Sequence, residues 1–405
     1  MGAKAVVVTF LARIIAMLGP FGVSIITARA LGPEDRGAYF LIVSYAQIAS
    51  QIANLGLHSS NTYYGAARPD IAGRLLVNGL VVAGVVAPVV AMAVVAVFGW
   101  PGFAGLGGGA LGPPALIAVA MAPLFVMFLY VTNLAVTVGR VGLFNGLTIL
   151  MGVFALGLAA LVWTGAGGLG AFLAAALAAL ALGTIVGVWL MVRGQGLDLG
   201  FDWALLRQGV GYALRAYIAT LFGFLMTRIG VLVLQAQADL QAVGQFSIAQ
   251  QVTDALLLLP ATVALLLFPN LVRQTDPAER WRAMVRALIV LGGVMALLVA
   301  VIAVLTPWAV PLVFGADYAP AIDLILAFLP AVLLMSLITV VSQYLSAGGF
   351  PWSQVATWVA VTTLHGGLSL WLVPDYGALG VIVSFTVSVA AMLAALFVLA
   401  VRMRP

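Results

Sequence analysis

Uncharged, almost wholly apolar runs long enough to cross a bilayer as helices recur from one end of this chain to the other. The stretches 75–98 and 169–192 contain no charged residue. About 20 mostly apolar residues suffice for a helix to span the hydrocarbon core. Membrane-crossing strands instead alternate apolar and polar positions, whereas these runs are apolar on every side, so helices are the reading that remains. Composition agrees: 64% of residues are hydrophobic and 7% charged, against roughly 45–50% and about 25% in a soluble domain. The expected fold is an all-α membrane protein.

Hydropathy places spans near 5–28, 38–57, 75–98, 115–138, 141–163, 169–192, 210–234, 243–267, 284–304, 321–345, 355–373 and 379–401, giving twelve crossings. The first could be mistaken for a signal peptide, but its length and the internal Arg13 argue against cleavage. An even number of crossings puts both termini on one side. With the N-terminus inside, the inner segments hold Lys4, Arg68, Arg74, Arg140, Arg193, Arg207, Arg273, Arg280, Arg282, Arg286, Arg402 and Arg404, and the outer segments only Arg29 and Arg36. That asymmetry is the positive-inside pattern and predicts cytoplasmic termini in an inner membrane. The formal charge of +5 is therefore read as topology, and no basic stripe with aromatics points to nucleic acid.

The chain also repeats weakly at a lag of 207–210. Gly37-Ala38-Tyr39-Phe40 aligns with Gly244-Gln245-Phe246-Ser247, and Leu169-Gly170 with Leu379-Gly380. The expected organisation is an N-terminal six-helix lobe at 1–193, a cytoplasmic connector at 194–209 and a C-terminal six-helix lobe at 210–405. Six is even, so the lobes would be parallel repeats with a site at their interface.

Four stretches, in order, carry a resemblance to a known family: ARALGPEDRGAYF at 28–40, VGQFSIAQQ at 243–251 followed by LLLLPATVALLLFP at 256–269, FGADYAPA at 314–321 and PDYGALG at 374–380. Together with twelve helices they resemble the Wzx-type oligosaccharide flippases of the multidrug/oligosaccharidyl-lipid/polysaccharide exporter superfamily. The resemblance implies two six-helix lobes around a central cavity, and an undecaprenyl-diphosphate-linked oligosaccharide moved from the cytoplasmic to the periplasmic leaflet by alternating access. Other polysaccharide-assembly membrane proteins are the implied partners. One departure stands out: the family often carries an acid near the place of Gly230 in TRIGVLVL at 227–234, so no role of that acid carries over.

Polar residues inside spans are the candidate binding groups, because amides lack partners in hydrocarbon and must face protein or water. In the second span Gln47, Gln51, Asn54, His58 and Asn61 follow the spacing of one helical face. They could glue helices together or line a cavity and bond sugar hydroxyls, and five on one stripe favours the cavity. The eighth span carries Ser247, Gln250, Gln251 and Asp254 on one face, and Asp254 aligns with Gln47 at the 207 lag. Asp254 reads equally as a protonatable coupling site or as a partner for an arginine or amide.

Arg13 is the deepest cation. A mid-span arginine costs about 2.5–3.5 kcal/mol on insertion scales and needs a compensating environment. With the resemblance in view, the carrier's diphosphate is the candidate, bound by the guanidinium fork. Arg215 is a further candidate ligand, although it and Arg228 lie nearer span ends, where snorkelling explains them as well. His365 is isolated in its span and reads as a packing residue.

Several classes are disfavoured. With no cysteine there is no thiolate chemistry and no disulfide, and no metal-ligand spacing, cofactor motif or nucleophile–base arrangement appears. The Gly-rich 105–112 reads as a flexible loop. A drug or cation antiporter of the same superfamily is the first alternative, but such transporters commonly place a carboxylate inside the N-terminal lobe, where Glu34, Asp35 and Asp70 all fall in loops. A membrane-embedded polymerase or ligase would need a long catalytic loop, which the spans leave no room for.

Overall fold

In lipid a backbone must satisfy its own polar groups, and the apolar runs do so as helices. The computed structural model describes residues 3–99, 112–193, 197–274, 276–349 and 351–402, without the side chains at 3–17, 69, 98–99, 112–115, 211–216 and 265–266. Its helices are α1 (Ala3–Ala53), α2 (Leu57–Ala67), α3 (Ala72–Val81), α4 (Ala87–Gly99), α5 (Gly112–Thr137), α6 (Val141–Thr164), α7 (Leu169–Val192), α8 (Trp203–Gln237), α9 (Leu240–Arg273), α10 (Pro277–Val313), α11 (Ala321–Ala347) and α12 (Trp352–Arg402). A π-helical turn, Val82–Val86, joins α3 to α4 as one long rod. Among the described residues nine helices are long and apolar enough to cross a membrane, or ten when α1 and α2 count as one broken span.

Two of these helices, α1 and α12, run 51 residues each, about twice the length one crossing needs. In α1 the backbone leaves helical geometry at Gly32, with φ 70° and ψ 175°. In α12 it does so at Gly377, with φ 54° and ψ −132°. Only glycine takes such angles without a Cβ clash, and Pro33 then restarts the helix from the position it favours. Each long helix is therefore two helices, matching the first and second and the eleventh and twelfth expected spans.

The acids lost to the membrane interior reappear at helix starts. Asp202 Oδ1 accepts from the backbone N–H of Leu205 at 2.9 Å, Asp239 Oδ1 from that of Ala242 at 2.7 Å and Asp276 Oδ1 from that of Ala278 at 2.9 Å. These three caps begin α8, α9 and α10 by satisfying orphan donors of the first turn. The cap at Asp202 starts α8 several residues before the expected span.

The chain divides into two compact units, Met1–Leu221 and Phe222–Pro405. In the first, helices approach through small residues, as membrane helices do when dispersion packing rather than water expulsion holds them. A Cβ on Gly19 would lie 2.5 Å from the Cα of Gly152, so α1 and α6 meet backbone to backbone. In the second, Thr362 on α12 donates to the carbonyl of Phe222 on α8 at 3.0 Å, and the ring of Phe328 of α11 meets Phe246 of α9 at a tilt and Phe385 of α12 edge-on.

Arg36 corrects the sequence reading. It was expected in an outer loop, yet it lies in α1 just past the Gly32 kink and is 3% exposed. Its guanidinium donates to Thr27 Oγ1 and to Ser24 Oγ, tying the two halves of α1 across the break.

Candidate functional site

The polar stripe expected on the second span does not run along one continuous face. The helix stops at Ala53, Leu55 (φ 51°) and Gly56 (φ 72°) both enter the left-handed region, and α2 resumes at Leu57 with a bend of 50°. A non-glycine residue there costs about 1–2 kcal/mol. The break therefore needs compensation, which two tyrosines supply. Tyr130 on α5 donates its hydroxyl to the carbonyl of Asn54 at 2.8 Å, and Tyr217 on α8 to the carbonyl of Ile52 at 2.6 Å. Both carbonyls lie at the end of α1, where no later turn can cover them.

The stripe is accordingly divided. Gln47 and Gln51 are half-buried on α1, and Asn54 is fully buried in the hinge. His58 and Asn61 sit on α2, the latter buried. Asn54 Nδ2 is 2.7 Å from His58 Nδ1, and His58 Nε2 is 3.1 Å from Ser59 Oγ. An amide nitrogen only donates, so this arrangement makes Nδ1 the acceptor and leaves the proton on Nε2. Asn54 Oδ1 is buried without a partner among the described residues. The side chains of Arg13 and Arg215 lie outside the described residues.

In the second unit the structure joins two expected residues to one read otherwise. Gln250 Nε2 donates to Asp254 Oδ1 at 2.9 Å, a pairing their i, i+4 spacing on α9 permits. Arg228 on α8 donates Nη2 to Asp254 Oδ2 at 3.1 Å. Its guanidinium also sits 5.8 Å from the ring centroid of Phe224. Two further donors, Nε and Nη1, are buried and unpartnered among the described residues. The cation is thus paired with a carboxylate, which a carboxamide also contacts, while two of its N–H donors remain unspent. No spacing argument reveals it, because Arg228 and Asp254 sit on different helices.

The missing family acid at Gly230 has a steric account. A Cβ there would collide with Val381 and lie 3.4 Å from His365 Nε2. His365 fills that space, buried, with Nδ1 2.8 Å from Ser384 Oγ, which in turn donates to the His365 carbonyl at 2.7 Å.

On the N-terminal side of α8, the chain from 197 to 202 docks on α3. Arg74 bonds Asp198 Oδ2 at 2.7 Å and Asp202 Oδ2 at 3.3 Å. Asn78 exchanges two bonds with the backbone of Asp202. Asp202 is held below the usual carboxylate range, chiefly by the Leu205 N–H and then by Arg74. The docking occupies both acids of the 194–209 connector.

Residues 3–275 match the family described as Polysaccharide biosynthesis protein. The chain belongs to that family. Membership accords with the four motifs, two of which fall within the matched residues. Among curated proteins nothing matches significantly. Solved structures share the fold at low identity. An inward-facing multidrug resistance MATE family transporter of the MOP superfamily is 13% identical, with 96% of this chain and 95% of that one covered at TM-score 0.74. The lipid II flippase MurJ, in an inward closed conformation, is 11% identical, with 100% and 88% covered at TM-score 0.75. A MOP superfamily transporter from Pyrococcus furiosus is 14% identical, with 99% and 95% covered at TM-score 0.68. This family member is thus a multi-pass membrane protein with the MOP superfamily fold.

Proposed function

We propose that this protein is a flippase that moves an undecaprenyl-diphosphate-linked oligosaccharide from the cytoplasmic to the periplasmic leaflet by alternating access. It would work in the inner membrane, with both termini cytoplasmic and with other polysaccharide-assembly membrane proteins as partners. Family membership supports the pathway, and one protein of like fold is a lipid II flippase. The single observation that carries the reading is Arg228: a buried guanidinium held by Asp254, with two donors unused.

Roles follow from donor chemistry. Arg228 and Arg13 would grip diphosphate, since each guanidinium offers a fork to phosphate oxygens. Gln47, Gln51, Asn61 and Gln250 would bond sugar hydroxyls, to which amides both donate and accept, and Arg215 would assist at the cytoplasmic end. Asn54 and His58, bonded to one another at the hinge, would shape the wall beside these groups.

Purified protein in liposomes with lipid-linked oligosaccharide on one leaflet tests the reading. Transbilayer movement is expected, reduced but present in Arg13→Lys and nearly absent in Arg13→Ala at equal protein level. No movement by the wild-type protein, alongside proton-driven export of cationic drugs, would establish the antiporter alternative instead.

A further inference from the structure

The first unit carries a second feature, lined by none of the residues assigned above to the transported substrate. A groove of about 710 Å³ opens between the α3–α4 rod, α5 and α7, within the range of small-molecule sites. Its α7 wall is one face of that helix: Thr184, Ile185, Val188, Trp189, Val192 and Arg193. The lining is otherwise apolar. Thr184, its one hydroxyl, is already committed to the carbonyl of Leu180 at 2.7 Å, so its proton is not offered to the groove. The opposite wall contains Gly84 in the π-helical turn, where an added Cβ would meet no atom within 4 Å. Such π turns often mark functional places in helices.

Charge is confined to one end. Arg193 is exposed, and its guanidinium lies 4.6 Å from the ring centroid of Trp189, close enough for cation–π attraction. Arg140 adds a second guanidinium at the same end of α7, donating to the Leu190 carbonyl at 3.0 Å. From Thr184 to Arg193 the helix rises about 14 Å at roughly 1.5 Å per residue. One leaflet contributes about 15 Å, half of a hydrocarbon core of about 30 Å.

We propose that this groove is a binding site for one anionic phospholipid, its acyl chain lying against Gly84 and the α7 face and its phosphate on Arg193. The groove matches a single leaflet in length, is apolar where a chain would run and cationic where a headgroup would sit. Basic pockets between membrane helices on the cytoplasmic side hold anionic headgroups in this way. The site does not depend on the identity of the transported substrate.

Native mass spectrometry of the full-length protein in detergent, titrated with palmitoyl-oleoyl phosphatidylglycerol or phosphatidylcholine, tests it. The wild-type protein should retain one phosphatidylglycerol in preference to phosphatidylcholine, and Arg193→Ala should lower that preference about fivefold. Gly84→Met should abolish retention of either lipid at this site by filling the groove. Ile185→Trp, at a 64% exposed position that packing does not need, should do the same should the first variant misfold. Equal retention of both lipids by the wild-type protein, or an unchanged preference in Arg193→Ala, overturns the proposal. It is also overturned if undecaprenyl phosphate displaces phosphatidylglycerol with the same dependence on Arg193, which makes the carrier lipid the occupant. Stabilisation by inorganic phosphate alone would likewise reduce the site to a headgroup contact.

Discussion

Removing the Arg228–Asp254 pair in two ways separates a structural role from a binding role. Asp254→Ala strands a guanidinium whose side chain is 14% exposed, whereas the carboxylate it loses was 33% exposed. Breaking a fully buried pair costs about 3–5 kcal/mol. Partial exposure of Asp254 and the Phe224 ring beneath the cation place this variant at the low end, near 3 kcal/mol. For a unit of this size each kcal/mol moves the unfolding midpoint by about 2–4 °C, so a loss of about 6–12 °C is expected. The paired variant Arg228→Met with Asp254→Leu removes both charges and leaves no stranded ion. Apolar replacement of a buried pair is often neutral or stabilising, so its midpoint should return to within about 2–4 °C of wild type. Transport should not return with it. A charged hydrogen bond to phosphate is worth about 1.5–3 kcal/mol, so flipping in liposomes should fall about 10- to 100-fold in the paired variant. Thermal unfolding in detergent and transbilayer assays on the same preparations give both numbers. If the paired variant is stable and transports at the wild-type rate, the pair only holds α8 to α9 and the anion-binding argument fails.

Three further outcomes follow from other parts of the molecule. The chain has no cysteine, so single cysteines placed at Gln274 and Gly108 report topology directly; the first should react with an impermeant reagent only after the membrane is opened, and the second in intact spheroplasts. Tyr130→Phe leaves the buried Asn54 carbonyl without its donor and should cost about 1–3 kcal/mol in unfolding measurements, whereas an unchanged midpoint would mean the hinge does not rely on that bond. The docking of residues 197–202 on α3 should weaken in acid: the folded pKa of Asp202 is depressed, so its contribution is complete above the unfolded carboxylate value near 3.9 and is lost as pH falls through the folded value. Hydrogen exchange at Leu205 and Leu206 should rise over that window in wild type and much less in Asp202→Asn, and exchange that ignores pH in both would refute the assignment.

What the sequence by itself determined is the helical inventory. Hydrophobic length is a local property, so the long runs could be counted along the chain, and Gly32-Pro33 and Gly377 fall between expected spans because each restriction acts on one residue's own backbone. The family motifs were legible for the same reason, as short strings at turns. Gln250 and Asp254 could be paired on paper because i, i+4 spacing is also local.

Only the tertiary structure decided which polar groups meet. The stripe from Gln47 to Asn61 assumed one unbroken helix, and the left-handed turn at Leu55–Gly56 resets its phase, a turn made tolerable by tyrosines 76 and 165 residues away in sequence from the carbonyls they cover. The partner of Arg228 could not be read from its own helix; α9 places Asp254 beside it. Gly230 looked like a lost acid until α12 placed Val381 and His365 where its side chain would stand. In each case the partner lies on another helix, and in a membrane, where almost every face is apolar, periodicity cannot tell which neighbour a polar atom will find. That choice rests on how closely small residues let the helices approach and on the rotation each helix takes when they do.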